Sequence, residues 1–317
     1  MLASACPGWV CYAEKTHGGP LLGHLSSAKS PQAVMGTLLK RHVAAAALGL
    51  DPAAVYHATV MPCFDKKLEA ARDDLRLPGG GPPEVDSCLT TGEVQELLAA
   101  RGVADLRAVP DAPLEPLLVN VDPASGAAFG LPGGSGGYME FVFRAAAARL
   151  FGRQLPPGRL PTERGRNADV AELTLRDEAS GRPLLRFASA YGFRNITTLV
   201  RRIKAGRCEY DYVEVMACPG GCLNGGGQPR AAGAGAPGGG TAGGVGGSAA
   251  AAAQLELFER VYHDASVAPR RPEDSPTVAA VYGGWLRCAP GGPAAREALH
   301  TAYHARERTV GAAIADW

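Results

Sequence analysis

The stretch Met216-Ala217-Cys218-Pro219-Gly220-Gly221-Cys222-Leu223-Asn224-Gly225-Gly226-Gly227-Gln228-Pro229 constrains this chain more than any other. It follows an alternating run, Tyr210 to Val215, that reads as a buried strand. A strand leading into two cysteines and then a triple glycine is not ordinary turn chemistry. Glycines leave the backbone bare, so a bulky group can approach it closely. Thiolates beside open backbone amides suit a metal–sulfur cluster, whose sulfides accept hydrogen bonds from those amides. Two other readings stay open on the residues alone: a zinc held by four thiolates, and thiols buried without any ligand. Gly225-Gly226-Gly227 is not a phosphate loop, because no Lys-Ser or Lys-Thr follows it.

Two further cysteines sit at sharp corners. Pro7 and Gly8 force a turn directly after Cys6, and Met61-Pro62-Cys63-Phe64 closes the expected strand Val55–Val60. Ligands of open α/β sheets collect at the carboxyl ends of strands. Cys6, Cys63, Cys218 and Cys222 therefore form the candidate ligand set, and their long separations favour a cluster over a compact zinc knuckle. Cys11, Cys88, Cys208 and Cys288 read as packing residues. His300 and His304 have helical i, i+4 spacing but no third ligand nearby, so a solvated face is the reading there.

At 317 residues the chain can bury a large core, in one domain or two lobes. Its 32 basic and 31 acidic residues leave a net charge of +1, with no electrostatic footprint for nucleic acid or an acidic membrane. No apolar run approaches the length of a bilayer-spanning helix, and no signal-peptide pattern opens the chain. A reducing, cytosolic compartment is the expectation, where cysteines serve as ligands rather than in disulfides.

The spacing predicts a helix from Ser30-Pro31 to about Leu50 that buries Val34, Met35, Leu38, Leu39 and Val43. Val85 to Leu89 reads as a short strand. Thr90 and Glu93 have capping-box spacing and open a helix burying Val94, Leu97 and Leu98. A long Pro- and Gly-rich loop is expected over 109–137, then a helix over 138–151 with Phe141, Ala145 and Leu150 as core. Val170–Leu175 and Leu184–Ala190 read as a hairpin, followed by a helix burying Ile196, Leu199, Val200 and Ile203. Arg201, Arg202, Lys204 and Arg207 are first a solvated helix face and second a partner or anion contact. Residues 230–253, almost pure Ala and Gly, are expected to be disordered. Helices are then expected around Leu255–Val261, Val278–Leu286 and Ala294–His304.

Cys6-Pro7-Gly8-Trp9, Ser26-Ser27-Ala28-Lys29-Ser30-Pro31-Gln32, Met61-Pro62-Cys63 with Lys66, and Met216-Ala217-Cys218-Pro219-Gly220-Gly221-Cys222 with Gly225 to Pro229 resemble, in order and spacing, the iron-only hydrogenase large subunit. Cys6 through Gly18, Tyr191-Gly192-Phe193-Arg194-Asn195-Ile196 and the terminal Trp317 resemble its cytosolic iron–sulfur assembly branch. The resemblance implies an α/β fold of two lobes, each with a central, mostly parallel sheet flanked by helices. It implies that Cys6, Cys63, Cys218 and Cys222 hold a [4Fe–4S] cluster in the cleft between them. In hydrogenases the last of these also bridges to a two-iron subsite, and Lys66 falls where a lysine lies near that subsite. Ala5 stands where hydrogenases carry a proton-relaying cysteine, and a methyl group cannot carry a proton.

The resemblance thus implies a non-catalytic assembly factor that connects early scaffold proteins to the complex targeting clusters to cytosolic and nuclear apoproteins. An [FeFe]-hydrogenase is the alternative, and a binding protein for a nuclear partner is a third reading. The tail resembles a client docking tail through Asp316 and Trp317, although Ala315 departs from its aliphatic position. The expected domains are 1–229, lacking a preceding ferredoxin-like segment and the first part of the hydrogenase-like domain; the insertion 230–253; and a helical part, 254–317. Neither nucleic acid nor membrane is an expected partner. The expected location is cytoplasmic, with a nuclear one left open.

Overall fold

The computed structural model describes residues 1–113, 119–122, 125–130, 137–156, 160–165, 167–229, 249–262 and 268–306. In chain order the strands are β1 (Leu2–Ala3), β2 (Ala58–Met61), β3 (Ser87–Thr90), β4 (Phe129–Gly130), β5 (Glu163–Arg164), β6 (Val170–Arg176), β7 (Pro183–Tyr191), β8 (Tyr212–Met216) and β9 (Ala268–Pro269). The helices are α1 (Pro7–Tyr12), α2 (Gly19–Leu22), α3 (Pro31–Thr37), α4 (Asp65–Ala70), α5 (Thr91–Ala100), α6 (Tyr138–Phe151), α7 (Phe193–Lys204), α8 (Ala249–Tyr262), α9 (Pro276–Ala280) and α10 (Pro293–Leu299). No helix among the described residues is long and apolar enough to cross a membrane. The chain divides into two compact units, the first built from Met1–Pro31, Gly136–Gly221 and Thr301–Trp317, the second from Gln32–Ser135 and Cys222–His300.

The first unit is organised by a sheet in the order β1-β8-β7-β6-β5. All of β8 is buried, as a strand covered on both faces must be. It pairs in parallel with β1 and with β7, while β7–β6 and β6–β5 are antiparallel. On β6, Ala171, Leu173 and Leu175 alternate inward and pack with Leu185, Phe187 and Tyr212 against α6. The β6–β7 turn falls where expected, with Gly181 at positive φ and the Asp177 carboxylate accepting the Ser180 N–H.

The buried face of α6 is Met139, Phe143 and Ala147, not Phe141, Ala145 and Leu150; Leu150 is 68% exposed. The cause is a group from another element. Gly137 offers no side chain to cap the helix, and Glu214 on β8 accepts the Met139 N–H at 2.7 Å instead. This turns Met139 toward the sheet. On α7, Ile196, Leu199 and Val200 are buried as the spacing predicts, while Ile203, in the last turn, is only half-buried.

The last described segment is not the end of a helix. α10 stops at Leu299, and Thr301 to Arg306 run over the first unit. The Thr301 N–H donates to the Ser27 carbonyl at 2.8 Å. Glu14, whose side chain is fully buried, accepts the His304 N–H at 3.0 Å and pairs with Arg306 at 3.3 Å. His300 and His304 therefore share no helix face, because the backbone here bonds to Ser27 and Glu14 rather than to a helical turn.

In the second unit β2 and β3 pair in parallel, from Ala58 opposite Ser87 to Met61 opposite Thr90. α3 runs on as wider π turns over Leu38–Ala47. Its inward face is Gln32, Ala33, Gly36, Thr37, Lys40, Val43 and Ala44, so of the expected apolar residues only Val43 is buried. A polar network decides the rotation. The fully buried Lys40 ammonium pairs with Asp86 at 2.7 Å and donates to the Pro83 carbonyl, while Thr37 donates to Glu84 at 2.8 Å. The His57 N–H donates to Asp86 at 2.7 Å. Partial burial works against ionisation, but that N–H and the Lys40 ammonium hold Asp86 below the usual carboxylate range.

The α5 capping box forms as the spacing predicts, with Thr90 and Glu93 exchanging hydrogen bonds. Val94 and Leu98 are nevertheless only half-buried, and Leu97 is exposed. Within the expected long loop, β4 pairs in parallel with β9, and Arg270 stacks on Phe129 while pairing with Asp122. A small core of Val281, Leu286, Ala295 and Ala298 joins α10 to the π turns Val281–Leu286 after α9. α8 starts at Ala249, inside the stretch expected to lack structure as far as Ala253; residues 230–248 lie outside the described residues.

Lys40→Met leaves Asp86 without its buried counter-ion and should cost about 3 kcal/mol in denaturant melts. Burial pushes the Glu214 carboxyl above its ordinary value of 4.5, against the opposing pull of the Met139 and Tyr191 donors. A raised folded value means its contribution is fully present below the unfolded pKa and is lost as pH rises through the folded one. The stability of Glu214→Gln, followed by melts across pH, should accordingly fall less than wild type on going from acid to neutral pH.

Candidate metal centre

Each unit brings two of the predicted ligands to one corner. In the first unit, Cys6 follows β1 and Cys218 follows β8. Those strands are parallel neighbours, with Leu2 opposite Val213, so both cysteines leave the sheet at its carboxyl edge. Three hydrogen bonds tie the exits together. The Ser4 hydroxyl donates to the Val215 carbonyl and accepts the Cys6 N–H at 2.9 Å. The Ala217 N–H donates to Cys6 Sγ at 3.4 Å. Beyond Cys218 the Gly220 N–H donates to Asp169 at 2.6 Å, which fixes the loop. Trp9, one helical turn after Cys6, is fully buried, and its indole N–H has no hydrogen-bond partner among the described residues.

In the second unit, Cys63 leaves β2 and Cys222 opens the 3-10 turn Cys222–Asn224. The Gly227 N–H donates to the Pro62 carbonyl at 2.8 Å, and the Gly227 carbonyl accepts the Gly92 N–H at 2.8 Å. A Cβ at Gly225 would collide with the Pro62 carbonyl, and one at Gly227 would lie 2.6 Å from Thr90 Cγ2. Only bare backbone lets this loop sit at the carboxyl ends of β2 and β3. Lys66, on α4 beside Cys63, is buried and ion-paired with Glu69 at 3.0 Å. Gln32 closes that pair: it donates to the Lys66 carbonyl at 3.2 Å and accepts from Thr59 at 2.9 Å.

Among the described residues, no group of three or more His, Cys, Asp or Glu side chains is arranged to hold a metal ion. What the chain supplies is a pair of thiols in each unit, Cys6 with Cys218 and Cys63 with Cys222, and none of its eight cysteines is in a disulfide. The donor chemistry fits a thiolate-ligated cluster. So does the bare backbone at Gly225 and Gly227, and the Trp9 indole is a buried donor that still lacks an acceptor. Asp316 and Trp317 lie outside the described residues. Sequence reading missed Ser4, Asp169 and Glu69, since a Ser two residues before a cysteine, or a carboxylate remote from one, gives no signal of its own.

Residues 1–226 match the iron only hydrogenase large subunit, C-terminal domain, and residues 258–306 match the iron hydrogenase small subunit. The chain is 46% identical over 320 residues to "Cytosolic Fe-S cluster assembly factor narfl" of Xenopus tropicalis, covering 100% of this chain and 61% of that protein. It is 42% identical over 327 residues to "Protein NAR1" of Arabidopsis thaliana, covering 100% and 64%. To "Cytosolic iron-sulfur assembly component 3" of Mus musculus it is 47% identical over 311 residues, covering 97% and 60%. The chain thus spans about three fifths of the length of these relatives. Among solved structures, apo [FeFe]-hydrogenase HydA1 from Chlamydomonas reinhardtii, variant C377H, superposes with a TM-score of 0.75 at 27% identity, covering 96% of this chain and 76% of that one. With its cysteine corners at strand ends and a family match over most of its length, the chain belongs to the iron-only hydrogenase large-subunit family.

Proposed function

We propose that this protein binds a [4Fe–4S] cluster through Cys6, Cys63, Cys218 and Cys222 and works in the assembly of cytosolic iron–sulfur proteins, not in hydrogen turnover. One observation carries the choice. Identity is 46% across the whole chain to a relative named as a cytosolic assembly factor, against 27% to a hydrogenase of the same fold. Ala5 agrees with it, since no proton can pass through a methyl group. Bound to these thiolates, the cluster supplies one-electron chemistry or a transferable iron–sulfur unit. The chain's own part is to present two thiol pairs, three of the thiols just past strand ends and Cys222 on the loop held at the end of β2. Ser4 and the Ala217 N–H orient Cys6, and the Pro62 carbonyl holds the Cys222 loop. Lys66, paired with Glu69, has its charge matched within the protein.

The cytosol is the proposed place of work, following the relatives' names; the names reported above give no support to a nuclear one. The proposed partners are early scaffold proteins and the targeting complex, the latter engaged through Asp316 and Trp317, where an aromatic beside an acid suits a buried anchor.

Protein purified without oxygen should carry about four iron and four sulfide per chain. Cys6→Ser, Cys63→Ser, Cys218→Ser and Cys222→Ser should each lose most of it, and Cys88→Ser should not. Stoichiometric zinc in place of iron would end the cluster reading. Robust hydrogen evolution with a reduced dye would instead restore the hydrogenase alternative. Removing Trp317 should weaken capture of the targeting complex without changing iron content; unchanged capture would dismiss the tail as the docking element.

A further inference from the structure

The first unit has a cationic face with a cavity behind it, which cluster binding does not use. From Phe193 to Cys208 the sequence holds Arg194, Arg201, Arg202, Lys204 and Arg207 and no carboxylate. All five cations are exposed, and none forms an ion pair among the described residues. In a chain whose net charge is only +1, this is a strong local asymmetry. Like charges crowded on one helix repel, and an acidic partner relieves that repulsion while gaining a steered encounter.

Behind α7 the sheet is incompletely covered. A cavity of about 610 Å³ lies there, within the range of binding pockets. Its floor is small and apolar, formed by Val170, Ala188, Ala190 and Val213, and Asn195, Thr198 and Arg202 line it from α7. At helical spacing these three form one stripe. A neighbouring cavity of about 470 Å³ shares Arg202, Glu163 and Glu172 and adds Arg176, Arg207 and the ion pair of Arg186 with Glu209.

The lining also says what does not fit. Glu163 and Glu172 stand directly opposite each other across β5 and β6 and face the cavity. Glu172 accepts the Tyr210 hydroxyl. Two carboxylates at the mouth repel a polyphosphate, but they tolerate a polypeptide that turns an apolar side chain toward the floor and its acids toward the arginines. The Gly192 N–H donates to the Met216 carbonyl at 2.9 Å, which ties the start of α7 to the strand leading into Cys218. A partner on α7 is thus seated on the element next to one of the cysteine corners.

We propose that α7 and the cavity behind it form a docking surface for an acidic protein segment that carries an apolar anchor.

Fluorescence anisotropy of the full chain with a labelled short peptide of Asp and Glu around one central Phe tests this. The expected result is salt-sensitive binding. It should weaken at least about tenfold, roughly 1.4 kcal/mol, in Arg201→Glu/Arg202→Glu and in Arg207→Glu. Thr198 is exposed, so Thr198→Trp plugs the cavity without touching the core. It should weaken the Phe peptide while leaving a peptide of Asp and Glu alone unaffected. Circular dichroism of each variant should match wild type, since every substituted residue is exposed. No binding by wild type, binding untouched by charge reversal, or equal affinity for a single-stranded oligonucleotide of the same charge would each overturn the proposal.

Discussion

A single backbone contact organises the second unit's share of the site. The Pro62 carbonyl accepts the Gly227 N–H, and the same oxygen leaves no room for a side chain at Gly225. Pro62 immediately precedes Cys63, and the loop it receives begins at Cys222. Two cysteines far apart in the chain are therefore neighbours because one carbonyl and two bare α-carbons fit together. Hydrogen bonding and sterics thus bring these two loops together.

The first unit reaches the same end by topology. Parallel pairing of β1 with β8 sends both chain ends out at one edge, and Ser4 bridges the two exits. Open α/β sheets place ligands at this edge because side chains and amides beyond the last ladder bond have nothing else to pair with. The units differ in how they hold their cysteines, one by loop-against-strand packing and one by adjacent strands. Both tie the sulfur-bearing segments to the ends of sheet strands, which favours a fixed geometry.

Much of this was legible in the sequence, and the misses share a cause. The capping box at Thr90 and Glu93, the hairpin turn at Ser180-Gly181, and the apolar stripe of α7 up to Val200 depend on residues within a few positions of one another, and each forms as read. The faces of α3 and α6 do not. Apolar spacing on α3 favoured Val34 and Leu38, but Lys40 and Thr37 point inward to Asp86 and Glu84, more than forty positions on. α6 takes its cap from Glu214, seventy-five positions away. Periodicity counts apolar residues, so it cannot register a buried polar group whose partner is remote. The cysteine corners were readable because Pro and Gly punctuate them locally. The Ser4 and Asp169 contacts that steady them are long-range in the same way as Glu214.

The seam at Glu14 has a consequence for how the protein is made. Its carboxylate is fully buried, yet two of its partners, the His304 N–H and the Arg306 guanidinium, lie about 290 positions downstream. At ordinary elongation rates the ribosome needs roughly 15 to 60 s to deliver them. During that interval the nascent chain lacks two of the partners of a carboxylate that ends fully buried. The first unit cannot close as it emerges, so chaperone protection during translation should matter more for this protein than for one whose units are continuous in sequence.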